Sequence, residues 1–213
     1  LIVGHRAFEK ALNYASKIAI EKDALVTIGI QPTFPSTAYG YIQFDPDRKV
    51  DKTDAYPVTT FAEKPYLSVA KRFLKSKDFL WNSGIFIWKV DVFLDQLGRH
   101  MPELSNQLWK IEKRIKSRKP FTDIWSAILP ESIDYGVMEK SDNIFVIPGT
   151  FKWSDLGSWN ALYDVLTKSK DGNVVRGSGM VLGGENNLVH SNGRFTAIFG
   201  ADNLVVINTE DAT

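Results

Sequence analysis

The sequence predicts an α/β fold, a mostly parallel sheet with helices on both faces followed by a small β-rich tail, and three observations carry that expectation. The first is an amphipathic stripe over 7–22, where Phe8, Ala11, Leu12, Ala15, Ile18 and Ala19 recur as on one face of a helix. The second is the run Ala-Leu-Val-Thr-Ile-Gly-Ile at 24–30, short and rich in β-branched residues, as in a strand buried on both faces. A helix leading into such a strand is the αβ step of a helix-covered parallel sheet. The third is a change of texture after Lys168, where short apolar runs alternate with Gly, Asn and Asp turns.

Composition bounds the rest. The 213 residues suffice for one large domain, or for one domain with a small appendage. Hydrophobic residues make up 44% and aromatics 12%, which supplies a core and argues against disorder. With 26 basic and 25 acidic residues the net charge is +1, so no long-range capture of nucleic acid or of an acidic membrane is expected. There is no Cys, and the 3 His are too scattered in sequence for a histidine zinc site. Any metal should therefore be a hard, oxygen-bound ion such as Mg²⁺. No apolar run approaches a membrane span, and the opening Leu-Ile-Val-Gly lacks the basic lead of a signal peptide, so a cytoplasmic protein is expected.

After the strand at 24–30, a loop with two prolines leads to an extended run at 38–44. Gly40 within it marks either a bulge or tight packing, or a place where a ligand approaches the backbone. A polar excursion over 45–55 reads as a hairpin loop, and 56–61 returns to the sheet. Leu67, Ala70, Phe73 and Leu74 make a short helix over 67–77, and 81–88 is the next strand. Asp91 is placed to cap a helix over 92–99, and Leu104, Leu108, Ile111 and Ile115 give a longer one. The basic run Lys110, Lys113, Arg114, Lys116, Arg118 and Lys119 is a solvated helix face, since the aromatics and groove-reading motifs of nucleic-acid binders are missing. Short helices over 123–129 and 132–140, a strand over 143–148 and a helix over 159–166 follow. In the tail, Asn192-Gly193 signals a two-residue hairpin.

The chemistry concentrates at 61–88. Phe-Ala-Glu-Lys-Pro at 61–65 and Trp-Asn-Ser-Gly-Ile-Phe-Ile-Trp at 81–88 put Glu63, Lys64 and Asn82 at the ends of two strand-like runs. An acid beside a base with a carboxamide returning nearby suits a polyhydroxylated ligand that carries an anionic group. Taken alone, Glu-Lys-Pro reads better as an exposed ion pair before a turn proline, and it is the rest of the chain that shifts the reading toward a ligand site. Asp155, between a strand end and a helix start, is either a turn residue or a ligand group of the kind open α/β sheets collect there.

Taken in order, these motifs resemble the sugar-nucleotide pyrophosphorylases, most closely the guanylyltransferase branch that acts on mannose 1-phosphate. The resemblance rests on Gly29-Ile-Gln-Pro-Thr with Tyr39-Gly-Tyr-Ile, on the two segments just quoted, and on Ser132-Ile-Asp-Tyr-Gly-Val-Met-Glu-Lys leading to Trp153-Ser-Asp-Leu-Gly-Ser-Trp. It implies a Rossmann-like nucleotidyltransferase sheet of which this chain is the C-terminal portion. Residues 1–168 would be the sugar-phosphate half, and 169–213 a β-rich linker or the start of a further β domain. Gly40, Glu63, Lys64 and Asn82 would bind the sugar phosphate. Lys64 and Asp155 would be catalytic, with Asp155 also a ligand of Mg²⁺. The implied substrates are GTP and mannose 1-phosphate, with no nucleic acid or membrane partner, and a homo-oligomer is compatible with the family. The family's glycine-rich nucleotide loop, with its Arg and Lys, and its second metal-binding Asp would precede Leu1. The resemblance thus implies half of a longer enzyme, inactive alone. Another sugar-1-phosphate nucleotidyltransferase, and a non-catalytic sugar-phosphate-binding domain, stay open at this point.

Overall fold

After a two-residue strand, β1 (Ile2–Val3), helix α1 (His5–Glu21) buries Ala11, Ala15, Ile18 and Ala19 and ends at Lys22. The chain reverses through Asp23, whose φ is 47°, into β2 (Leu25–Ile30), every residue of which is buried. This computed structural model describes residues 1–50 and 53–213. The expected hairpin loop over 45–55 is described apart from residues 51 and 52, which lie outside the described residues. The chain forms two compact units, Ile2–Trp153 on one side and Ser154–Thr213 together with Leu1 on the other.

The first unit continues with β3 (Tyr41–Phe44), β4 (Tyr56–Ala62), helix α2 (Leu67–Ser76) and β5 (Phe79–Ile87). Helices α3 (Val90–His100), α4 (Pro102–Lys116) and the short α5 (Thr122–Ser126) follow, then β6 (Ile144–Gly149) and β7 (Lys152–Trp153). The strands hydrogen-bond in the order β2-β5-β3-β4-β6, and β6 closes back onto β2; β1 pairs separately with β7.

The sheet is mixed and barrel-like, which corrects the expectation of a mostly parallel one. Among the described residues of this sheet, only β2–β6 is parallel, while β2–β5, β3–β4, β3–β5 and β4–β6 are antiparallel. The helical crossovers are real: α2 joins β4 to β5, which run in the same direction. What the apolar pattern does not encode is that β3 inserts between those two strands, and β5 between β2 and β3, each against the local direction. Strand direction and neighbour are decided by tertiary pairing, and burial on both faces looks the same for either polarity.

The expected helical cover on both faces does hold. Alternate residues of β2 feed two core clusters. Val26, Ile28 and Ile30 pack with α1 and with Ala70 of α2. Leu25 packs with Ile42, Phe61, Leu80 and Val146 under Leu97 of α3 and under Val137 and Met138. The last two belong to a π-helical turn, Asp134–Met138, where the sequence pattern predicts an ordinary helix. Such turns recur at functional sites. Two smaller expectations also change. Asp91 is not a cap: α3 begins at Val90 with Lys89 before it, and Asp91 sits in the first turn, where its charge favours the helix dipole. The helix expected over 123–129 stops at Ser126.

In the second unit, Ser158 accepts a hydrogen bond from Ala161 N–H and starts helix α6 (Trp159–Val165). Strands β8 (Val174–Leu182), β9 (Leu188–Phe199) and β10 (Val205–Asn208) then stack in parallel, with Val174 beside Leu188 and Leu188 beside Val205. The buried Asn187 ties the preceding turns together. Its Nδ2 donates to Asn173 Oδ1 at 3.0 Å and to Ala201 O at 2.8 Å, and its Oδ1 accepts from Leu204 N–H at 2.9 Å. Asn192-Gly193 does turn the chain, with Gly193 at φ 98°, but no hairpin forms. The partners shift from Gly177 beside Ser191 to Gly179 beside Thr196, so the turn is a bulge inside β9. A turn dipeptide fixes local backbone sign, and the parallel neighbour decides whether the chain reverses.

Gly29 of β2 shows how tightly the barrel closes. A Cβ there would lie 2.6 Å from Leu80 Cδ1 and 2.8 Å from Val146 Cγ2. We expect Gly29→Ala to lower the unfolding free energy by about 1–3 kcal/mol, the cost of overpacking a filled core. A urea melt with an unchanged midpoint would contradict that packing.

Candidate functional site

Three strands deliver the site. Tyr41 of β3 lies opposite Ala62 of β4 and Trp81 of β5, so the residue before it, Gly40, falls between Glu63 and Asn82. Asn82 N–H donates to Gly40 O at 2.8 Å, and on its other side Asn82 is registered with Gly29 of β2. Glu63, Gly40, Asn82 and Gly29 thus form one row across four adjacent strands. A Cβ on Gly40 would overlap Glu63 Oε2 and come within 3.2 Å of Asn82 Cβ. Of the two readings of Gly40, the structure shows close packing: the missing side chain is where the Glu63 carboxylate rests. Trp81, next to Asn82 in the strand and so on the other face of the sheet, packs edge-on against Tyr39 at 5.1 Å and Phe34 at 4.8 Å.

Asn82 sits at a break in the strand. The β2–β5 register shifts between Thr27 and Gly29, because Ser83, Gly84 and Ile85 bulge out of β5. Gly84 takes φ 70° with open space where a Cβ would be, so glycine is there for backbone sign. Ser83 Oγ donates to Ile28 O at 2.6 Å and pins the bulge. The Asn82 carboxamide is held on both sides. Its Oδ1 accepts from Thr27 Oγ1 at 3.1 Å and from Gly84 N–H at 3.1 Å, and its Nδ2 donates to Asp134 Oδ1 at 3.0 Å.

Lys64 follows Glu63 in a left-handed conformation, φ 47°, an unusual backbone for a non-glycine residue. Its Nζ lies 3.2 Å from Glu63 Oε1 and its side chain is 60% exposed, so the pair contributes little to stability and leaves the ammonium accessible. Glu63 is 11% exposed, and Glu139 Oε1 accepts from Glu63 N–H at 3.1 Å. Burial pushes the Glu63 carboxyl above the ordinary carboxylate range; the Lys64 hydrogen bond opposes this, while Asp134 and Glu139 add to the push.

The structure therefore brings Gly40, Glu63, Lys64 and Asn82 together. It adds Thr27, Asp134 and Glu139, to which sequence reasoning gave no role. Thr27 is the one polar side chain in the run 24–30, and Asp134 and Glu139 stand in the segment 132–140, whose sequence does not show that they reach this site. Asp155 belongs to the second unit. There it is exposed, on a segment where Leu156 has φ 53° and its N–H donates to Ser154 Oγ at 3.2 Å. Among the described residues no group of three His, Asp or Glu side chains could hold a metal ion.

A family model described as nucleotidyl transferase matches residues 2–172. The chain belongs to the nucleotidyl transferase family. Over 220 residues it is 35% identical to a mannose-1-phosphate guanylyltransferase of Klebsiella pneumoniae, covering 100% of this chain and 46% of that protein. Over 216 residues it is 34% identical to the alginate biosynthesis protein AlgA of Pseudomonas aeruginosa, covering 100% of this chain and 44% of that protein. The crystal structure of a Thermus thermophilus protein named mannose-1-phosphate geranyltransferase superposes with a TM-score of 0.86 at 30% identity, over 99% of this chain and 61% of that one. The chain thus spans less than half the length of these curated relatives.

The site is acidic: the Glu63 carboxylate, paired with the ammonium of Lys64, also feels the charges of Asp134 and Glu139. A carboxyl whose pKa is higher folded than unfolded binds its proton more readily in the fold, so it costs stability once pH rises through the folded value, and the cost fades on acidification. We expect Glu63→Gln to raise Tm by a few degrees at pH 7. That gain should shrink as pH falls below the raised pKa. A Tm difference that grows toward acid pH would contradict the burial and like-charge account.

Proposed function

We propose that this chain supplies the sugar-phosphate side of a mannose-1-phosphate guanylyltransferase: GMP passes from GTP to mannose 1-phosphate, giving GDP-mannose and pyrophosphate. The observation that carries the reading is the row Glu63–Gly40–Asn82, with Asp134 and Lys64 beside it. Carboxylates there can accept from sugar hydroxyls, an amide N–H can donate, and one accessible ammonium can meet a phosphate. The names of the relatives support the choice of sugar and nucleotide. A cytoplasmic setting, where nucleoside triphosphates are made and used, fits the same chemistry, as does the finding that no described helix is long and apolar enough to cross a membrane.

In the reaction, an oxygen of the sugar phosphate attacks the α-phosphorus of GTP as the bond to the β-phosphate oxygen breaks and pyrophosphate leaves. Such a step needs positioning and charge neutralisation, with no protein nucleophile. Glu63 and Asn82 would fix the sugar, so that the phosphate held by Lys64 faces the nucleotide. Gly40 lets the Glu63 carboxylate settle where it can reach a hydroxyl.

Mg²⁺ fits this family chemistry through Asp155. The ion commonly takes one or two carboxylates and fills its shell with phosphate oxygens and water, so one exposed Asp is a reasonable share for this chain. When bound, Mg²⁺ would supply charge to phosphate oxygens. Asp155 would hold it, and Lys64 would neutralise the sugar phosphate independently.

The test uses the full-length protein, with pyrophosphate release measured across panels of nucleotides and sugar 1-phosphates. GTP with mannose 1-phosphate should be the preferred pair. Lys64→Ala should raise KM for the sugar phosphate about 10- to 100-fold, the loss of one charge-assisted hydrogen bond. Pyrophosphate release that is indifferent to Lys64→Ala and Asp155→Ala combined would overturn the proposal.

A further inference from the structure

The buried hydroxyl of Thr27 has no evident reason to be in the barrel. It is fully buried in a strand whose other residues are apolar, and its one hydrogen bond among the described residues goes to Asn82. A buried hydroxyl is costly unless it is hydrogen-bonded, so the bond to Asn82 is what makes Thr27 tolerable in this strand.

The chemistry around Asn82 says what that bond does. Gly84 N–H can only donate, so the Asn82 atom facing it is the carbonyl oxygen. Asp134, when ionised, can only accept, so the atom facing it is the amide nitrogen. The orientation of the carboxamide is therefore fixed by its partners and is not interchangeable. The carbonyl oxygen has two lone pairs. Gly84 N–H takes one and the Thr27 hydroxyl takes the other. One N–H is used by Asp134, which leaves a single amide proton uncommitted.

We infer that Thr27 is a positioning residue that locks Asn82 as a donor-only contact, so that the site reads its ligand through one N–H flanked by the acceptors Glu63 and Asp134. A free carboxamide could accept or donate to a hydroxyl; this one can only donate. The bulge at Ser83–Gly84 is part of the device, because it turns the Gly84 N–H back onto the same oxygen. Bulges beside active sites commonly re-aim a side chain in this way. Specificity follows from the asymmetry: a ligand oxygen that can accept is welcomed, while a group offering only a proton meets no acceptor at Asn82.

The inference rests on the proposed function only for the identity of the ligand, and its test separates the two. First, the ¹⁵N-labelled chain without ligand is examined by NMR. Thr27→Val, nearly isosteric, should shift and broaden the Asn82 side-chain amide pair, and Thr27→Ser should restore it. Second, steady-state kinetics on the full-length protein with mannose 1-phosphate should show KM raised about tenfold in Thr27→Val with kcat little changed, the equivalent of one hydrogen bond. Thr27→Ser should again recover most of the loss. An Asn82 amide pair that does not respond to Thr27→Val, or a Thr27→Ser protein as impaired as Thr27→Val, would overturn the lock.

Asn82→Asp covers the case in which Thr27→Val fails to fold. An aspartate can keep both acceptor contacts to Thr27 and Gly84, but it loses the donor and turns a second acceptor oxygen toward Asp134, so a folded Asn82→Asp protein with wild-type KM would overturn the donor-only role. A sugar-phosphate KM at least as poor as in Asn82→Ala supports it. If the amide pair responds as expected while the full-length protein turns over no sugar 1-phosphate, the lock stands and the assigned reaction falls.

Discussion

The pairing of β5 with both β2 and β3 is the constraint on which the site depends. Asn82 is the residue of β5 where that double pairing meets a bulge, so it is registered with Gly29 on one side and Gly40 on the other. Both neighbours lack side chains. The result is a shelf on which only Glu63 and Asn82 project, at the edge of a core face made by Leu25, Ile42, Phe61, Leu80 and Val146. The shelf is rigid because the barrel beneath it is filled, and the π-helical turn Asp134–Met138 that covers the same face delivers Asp134 to Asn82. Packing and recognition are therefore one arrangement here: Val137 and Met138 bury the turn, and Asp134 at its head is aimed by that burial.

The acidity of the site sharpens its division of labour. Three carboxylates around one ammonium are poor company for a phosphate, and good company for hydroxyl protons. Lys64 is far more exposed than Glu63 and is the cation among these groups, so a phosphate would sit toward solvent, with the sugar inward over Glu63 and Asn82. The raised pKa of Glu63 belongs to the same picture. A carboxylate held close to two others and out of water is destabilised until something donates to it, and a hydroxyl-rich ligand supplies those donors.

Much of this was legible in the sequence, and the parts that were not have physical causes. The helix at Ala11–Ala19 and the strand after it follow from periodicity, and Glu63 and Lys64 are visible because their residue types stand at a strand end, whereas Asn82, expected at the start of a run over 81–88, lies inside β5 at its bulge. The polarity of the sheet was hidden, because β2 is apolar at five of its six positions and side-chain pattern carries no direction. Asn192-Gly193 misled for a related reason: it specifies a positive φ, and the parallel partner β8 decided that the turn would be a bulge. Asp134 is not legible in the sequence because its part in the site comes from a tertiary contact to Asn82, fifty-two residues away in sequence.

Thr27 shows where sequence reading can be made finer. A polar residue in a run that is otherwise uniformly apolar is either exposed or paired, and burial of the run removes the first option. The question such a residue poses is which partner needs it. Here the partner is a carboxamide whose other acceptor site is already occupied by a backbone N–H, so the hydroxyl adds no general stability that a valine would not match by packing. What it adds is exclusivity: with both lone pairs of Asn82 engaged, one proton is all that remains to offer. A recognition site gains selectivity from what its groups can no longer do, and in this barrel that restriction is written two residues before Gly29, on the strand beside the one that carries the recognising side chain.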